Sequence, residues 1–177
     1  IEDVAFRHLL ISRMILGMGN LLCFSLFVEY ETTEDYGINL SESLVSVITT
    51  LIPASLFLLF FLLSGRLFDR MHLWNVRCLI NVIFAVGILF YFLGDDLWAL
   101  YIGIGLHGVA RAGGNVAWSL WVTKFAKEEN VAEYMSVHTF LTGCRGVIAP
   151  FIAFRMASTV GPMWVGLIGS GMIFVAT

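Results

Sequence analysis

The sequence predicts an all-α membrane protein with six transmembrane helices. Three observations carry this. Of its 177 residues, 59% are hydrophobic and only 13% charged, against about 25% charged in a soluble domain, and mean hydropathy is +0.88. The apolar residues gather into six runs, roughly 9–29, 44–64, 78–94, 98–122, 135–154 and 162–177. The basic residues fall beside alternate loops, as membrane insertion requires.

A helix needs about 20 residues to cross the roughly 30 Å hydrocarbon layer. Four runs meet this comfortably; the third borrows from its flanks, and the sixth stops at Thr177. With Ile1 in place of Met, this implies a fragment of a longer polypeptide. None of the runs alternates polar and apolar residues, so barrel strands are not expected.

The first run is too long and too polar in its middle for a signal peptide. It carries Arg13, Gly17 and Asn20, spaced four and three, on one helical face. The acidic stretch EYETTEDYGIN follows as a loop. The second run places Thr49, Thr50 and Ser55 around Pro53, a kink that membrane helices tolerate. GRLFDRMHLWNVR, residues 65–77, then reads as a tight inward loop. The third run is nearly bare apart from Asn81, and Asp95–Asp96 mark its outer end. The fourth carries His107, Arg111, Asn115 and Trp118, spaced four, four and three, again one face. The fifth carries His138, Thr142 and Arg145 on one face, with Pro150 late in it. The sixth offers only Ser170.

Calling the N-terminal side inward, Arg7, Arg13, Arg66, Arg70, Arg77, Lys124 and Lys127 lie in or beside inward segments, and Arg155 alone lies outward. That asymmetry puts the N-terminus in the cytoplasm. Helices 1, 2, 4 and 5 are then expected to line a polar interior, with helices 3 and 6 supporting them from the lipid side. The small-residue pairs Ala110/Gly114, Thr142/Gly146 and Gly166/Ser170 are spaced for close helix contact, or by chance in a Gly-rich chain.

Arg111 and Arg145 fall near the middle of their crossings. A charge there costs at least ~2.5 kcal/mol and should face a wet cavity or a partner. Two readings stand: a cationic site for an anionic substrate group, or arginines tied to free backbone carbonyls or to a carboxylate elsewhere. No Asp or Glu is expected deep in a helix, so a proton carrier would be His107, His138 or a residue outside the fragment; the plainer reading of each histidine is a hydrogen-bonded interior group. Tyr30, Trp98 and Tyr101 read as interfacial anchors; Trp118 and Trp121 read most simply as packing near the inner interface, with contact to a substrate as the alternative.

Several classes are excluded. The net charge of −3 argues against nucleic acid as a partner. Cys23, Cys78 and Cys144 show no ligand spacing and read as small hydrophobes. No cofactor is called for. There is no GxxxxGK[ST], HExxH or GxSxG, and the GxG at 103–105 lies inside a helix. An enzyme is not expected.

The 65–77 stretch resembles the loop motif of the major facilitator superfamily, roughly Gly-x-x-x-Asp-Arg-x-Gly followed by basic residues. Gly65, Asp69 and Arg70 match at the right spacing. His72 replaces the second glycine, Leu73 and Trp74 stand where basic residues follow, and Arg77 supplies a displaced charge. Arg111 with Gly113 and Gly114 resembles the family's intramembrane arginine motif, with the glycine spacing off. Ala149–Pro150 and Ala153 resemble its Gly-Pro-x-x-Gly element, with alanines for glycines, which leaves antiport open. GNVAWSLWVTKFAKEENVAEYMSVHTFLTG is similar to the helix 4 to helix 5 connection of bacterial members.

The resemblance implies one six-helix half of a twelve-helix fold, built of two inverted three-helix repeats, with residues 1–177 as that half-domain. The non-Met start favours the C-terminal half and the motif echoes favour the first. It implies a secondary transporter in the plasma (bacterial inner) membrane, moving a small organic solute by alternating access, with ion coupling open. Its partners would be the solute, hinted to be an anion, the bilayer and the missing six-helix half. The expected cavity residues are Asn20, His107, Arg111, Asn115, Thr142 and Arg145, and the expected gate residues Gly65, Asp69, Arg70 and Arg77. The alternative is a non-transporting receptor or scaffold on the same fold.

Overall fold

The computed structural model describes residues 4–34, 39–94, 96–122, 126 and 128–177. Asp95, Lys124, Lys127 and part of the EYETTEDYGIN loop lie outside the described residues. All regular structure among the described residues is helical.

Helix α1 runs Val4–Phe24 and continues, after a break, as α2, Phe27–Thr32. At the break Ser25 Oγ donates to Leu21 O at 2.7 Å, and Leu26 N–H turns back to Cys23 O at 3.0 Å. The hydroxyl competes for a helix carbonyl and the backbone tightens to a three-residue step.

The second rod is continuous over Glu42–Arg70. It comprises α3, Glu42–Ser46, a π turn over Val47–Leu51, and α4, Ile52–Arg70. The π turn stands just before Pro53, which has no N–H to give the ladder. Thr49 Oγ1 and Ser55 Oγ donate back to the carbonyls of Val45 and Leu51, both at 2.8 Å, so each hydroxyl is satisfied within its own helix.

Helix α5 spans Leu73–Leu93, α6 Leu97–Leu120, α7 Val131–Val160 and α8 Pro162–Val175. A 3-10 turn over Glu128–Asn130 leads into α7, which runs through Pro150 without ending. Among the described residues, four helical segments are long and apolar enough to cross a membrane: Phe6–Thr32, Glu42–Arg70, Trp74–Leu93 and Glu128–Val160. Helix α6 has the length, but His107, Arg111 and Asn115 lower its hydropathy. Helix α8, at 14 residues, covers only about 21 Å.

Helix α6 packs between α4 and α5, and α8 packs between α5 and α1, with α7 against α1 and α8. Glycines set the closest approaches. A Cβ on Gly87 of α5 would stand 2.9 Å from Gly103 O of α6, and one on Gly103 2.7 Å from Gly87 O. The pairs chosen from sequence fare unevenly. Gly166 meets Phe92, and Ser170 Oγ donates to Ala85 O of α5 at 3.1 Å. Gly146, by contrast, has nothing within 4 Å of a Cβ among the described residues, so it sets no close helix approach there.

Three sequence expectations are corrected. Helix 3 is more than an outer support: 56% of the span containing α5 is buried, against 17% for that containing α4. The reason is position, since α5 packs on both α6 and α8. The tight loop expected over 65–77 is mostly helix, because α4 continues to Arg70 and α5 starts at Leu73, leaving Met71 and His72 as the link. Tyr30 is not an interfacial anchor; it is 8% exposed and packs on Tyr91 and Phe92. Trp98 is 75% exposed at the start of α6.

Candidate functional site

Four helices line a partly open chamber of about 250 Å³. From α1 come Arg13, Gly17 and Asn20; from α5, Arg77, Asn81 and Phe84; from α6, Arg111, Asn115 and Trp118; from α7, Arg145. The i, i+4 spacing of Arg13 and Gly17, and of Arg111 and Asn115, turns each pair to one side of its helix. The side chains on the walls are arginine, asparagine and apolar; no Asp or Glu is among the lining residues.

Each arginine is held differently. Arg145 is buried, and its Nη1 donates to the carbonyl of Arg13 at 2.9 Å. Its guanidinium occupies the place a side chain on Gly17 would need. Arg13 lies over the Trp121 ring at 5.5 Å, a cation–π contact. Arg77 is buried, donates to Ser12 Oγ and, at 2.8 Å, to Ala176 O, and lies 5.5 Å from the Trp74 ring. The Ala176 carbonyl closes the C-terminal end of α8, where a cation complements the helix dipole. Arg111 is exposed and makes no hydrogen bond among the described residues. It and Asn115 also face a second hollow of about 460 Å³, whose other wall is Thr49, Thr50, Pro53 and Phe57.

The expected cavity residues divide. Asn20, Arg111, Asn115 and Arg145 line the chamber, whereas His107 and Thr142 do not. His107 is 2% exposed, its Nε2 lies 3.3 Å from Asn20 Oδ1, and the rings of Phe24, Phe27 and Phe84 surround it. Thr142 Oγ1 is buried without a partner among the described residues. His138 is buried between Trp118 and Trp121, at 4.1 and 5.0 Å between ring centroids. The sequence period gave α7 one polar face, but only its Arg145 reaches the chamber.

The expected gate residues divide as well. Gly65, Asp69 and Arg70 occupy the last turns of α4, where Asp69 and Arg70 are exposed. A Cβ on Gly65 would meet nothing within 4 Å. Arg77 is corrected from gate loop to chamber wall: it lies in the second turn of α5 and is buried. The reason is that α5 begins five residues earlier than the apolar run, so Arg77 is part of a packed helix.

Sequence reasoning missed Glu31. It was assigned to an outward loop, yet it lies in α2 with no exposed surface and accepts a hydrogen bond from the Tyr91 hydroxyl. Its neighbours Tyr30 and Thr32 gave the only signal, a helix-compatible extension of the first run. Among the described residues no group of His, Cys, Asp and Glu is placed to hold a metal ion.

A comparison with curated proteins found no match for the chain. A family model for the Major Facilitator Superfamily matches residues 9–177, nearly the whole chain and every helix that lines the chamber. A bundle of long apolar helices around an arginine- and asparagine-lined chamber, matched over that length, is a multi-pass membrane protein, and the chain belongs to the major facilitator superfamily, whose members are transporters rather than enzymes.

Proposed function

We propose that the chain is one six-helix half of a secondary transporter that moves a small organic solute by alternating access. The observation that supports this most is the chamber itself: polar side chains from α1, α5, α6 and α7 meet in one hollow inside an otherwise apolar bundle. Polar and charged groups at such depth are costly in lipid and are retained where they meet water or a solute. In this family architecture the solute site lies between two repeats near the midplane. The second half of the same polypeptide then supplies the facing wall, and Arg111 and Asn115, exposed on α6, are the groups turned toward it. The arginines favour an anionic group on the solute.

The orientation follows from the basic residues: N-terminus in the cytoplasm of a bacterial inner membrane, with the α4–α5 link inside. Asp69, at the inner end of α4, acts as a gate latch that accepts a charge-assisted hydrogen bond from a neighbouring helix end or arginine of the other half.

The test is reconstitution of the full-length protein in proteoliposomes, with flux measured across a panel of labelled solutes. Saturable flux of at least one solute is expected. Saturable binding with no flux would replace the transporter by the receptor or scaffold alternative. Cysteines placed singly at His72 and Trp98 in a cysteine-free background check orientation: an impermeant maleimide should reach the first only from the cytoplasmic side and the second only from outside.

A further inference from the structure

We infer that the chamber takes a small organic oxyanion carrying at least two negative charges, engaged by Arg13, Arg77, Arg111 and Arg145. This rests on the same chamber as the transporter reading and names the solute class.

Charge balance is the first argument. Four guanidinium groups from four helices line about 250 Å³, with no carboxylate on its walls. Arg77 and Arg145 lie close enough to act electrostatically on Arg13. Like charges drawn together inside a bundle repel, and less water is present to screen them than at a surface. The hydrogen bonds they do make go to a serine hydroxyl and to backbone carbonyls, namely Arg13 O and Ala176 O. Those partners fix the side chains but bring no negative charge. A solute with a single charge would leave three of the four positive charges uncompensated; one with two or three charges leaves two or one.

Donor geometry is the second argument. Nε of Arg13, Arg77 and Arg145 is buried in each case without an acceptor among the described residues, so the chain's own hydrogen bonds satisfy none of the three guanidinium groups completely. Arg111 makes no hydrogen bond there either. Guanidinium donors match the paired oxygens of carboxylate and phosphoryl groups. Asn20, Asn81 and Asn115 add amides to the same walls, suited to hydroxyl or carbonyl groups of the solute. An arginine retained only to tie off a helix end needs one or two carbonyls nearby. That accounts for part of Arg77 and nothing of Arg111.

Size is the third. The hollow within this half holds about 250 Å³, just under the range of about 300–1,000 Å³ for small-molecule sites, before the second half adds its wall. It suits a short dicarboxylate or tricarboxylate, or a small phosphorylated compound.

The experiment uses full-length protein in detergent. Its thermal unfolding midpoint is measured against citrate, succinate, inorganic phosphate and acetate, with sodium chloride holding ionic strength constant. Saturable stabilisation by citrate, succinate or phosphate, and none by acetate, is expected. Arg111→Gln should weaken the apparent affinity roughly tenfold, on the scale of one lost charge-assisted contact, and Arg111→Lys should recover part of it. Both should unfold at the wild-type midpoint without ligand, because Arg111 is exposed and makes no hydrogen bond among the described residues. Equal midpoints with all four anions, stabilisation by acetate matching that by citrate, or an unchanged citrate response in Arg111→Gln would each overturn the inference. Stabilisation by citrate without flux of any solute would sink the transporter reading and leave this one standing. Flux of a neutral or cationic solute without anion stabilisation would do the reverse.

Discussion

The guanidinium of Arg145 rests directly against Gly17, and its Nη1 reaches past that glycine to the carbonyl of Arg13, 2.9 Å away and one helical turn back. The two helices α1 and α7 are thus keyed by a glycine and an arginine, and the arginine's charge is delivered to the chamber wall.

A Cβ at position 17 would collide with the tip of a flexible side chain, not with backbone. Gly17→Leu is therefore expected to swing Arg145 away while the bundle stays folded. The check is arginine modification by phenylglyoxal read by mass spectrometry: Arg145 should react faster in Gly17→Leu than in wild type. An unchanged rate would mean the guanidinium is not seated on Gly17.

The crossing of α5 and α6 behaves differently. Gly87 and Gly103 face each other's carbonyls at 2.9 and 2.7 Å from where a Cβ would stand. Backbone cannot step aside as a side chain can, so Gly103→Ala should separate the helices and destabilise by about 1–3 kcal/mol. Thermal unfolding of the detergent-solubilised protein measures it. Gly65→Ala, whose Cβ meets nothing within 4 Å, is the control: with helix propensity alone acting, it should keep or slightly raise the midpoint.

Glu31 and Tyr91 form a polar pair inside an aromatic cluster of Phe27, Tyr30 and Phe92. Tyr91→Phe would leave the buried Glu31 carboxyl without its donor, at a cost of about 1–3 kcal/mol. Glu31→Gln keeps the shape and an acceptor for the tyrosine, and should cost less. Equal unfolding midpoints for Tyr91→Phe and wild type would show that the pair adds no stability.

Asp69 is exposed in the last turn of α4, where a negative charge opposes the helix dipole by about 0.3–1 kcal/mol. Within this chain Asp69→Asn should therefore be neutral or slightly stabilising. Under the gate proposal it should still reduce proteoliposome flux roughly tenfold, on the scale of a lost charge-assisted contact. Wild-type flux with an unchanged midpoint would remove Asp69 from the gate.

The sequence by itself determined that the chain is helical and belongs in a membrane, because hydropathy and run length act locally. It also determined which residues share a helical face: Arg13, Gly17 and Asn20 on α1, and Arg111, Asn115 and Trp118 on α6, all reach the chamber. Periodicity fixes the direction of a side chain about its own axis, but not what stands opposite. Only the tertiary structure decided that His107 would be enclosed by phenylalanines, that Thr142 would miss the chamber its face-mate Arg145 enters, and that Arg77, seven residues past Arg70, would be a wall residue beside Arg13. It also decided the burial of Glu31, whose partner Tyr91 lies 60 residues away. Each of these depends on which helices meet and at what height. Close approaches between distant glycines, such as Gly87 with Gly103, set that, and no local pattern encodes it.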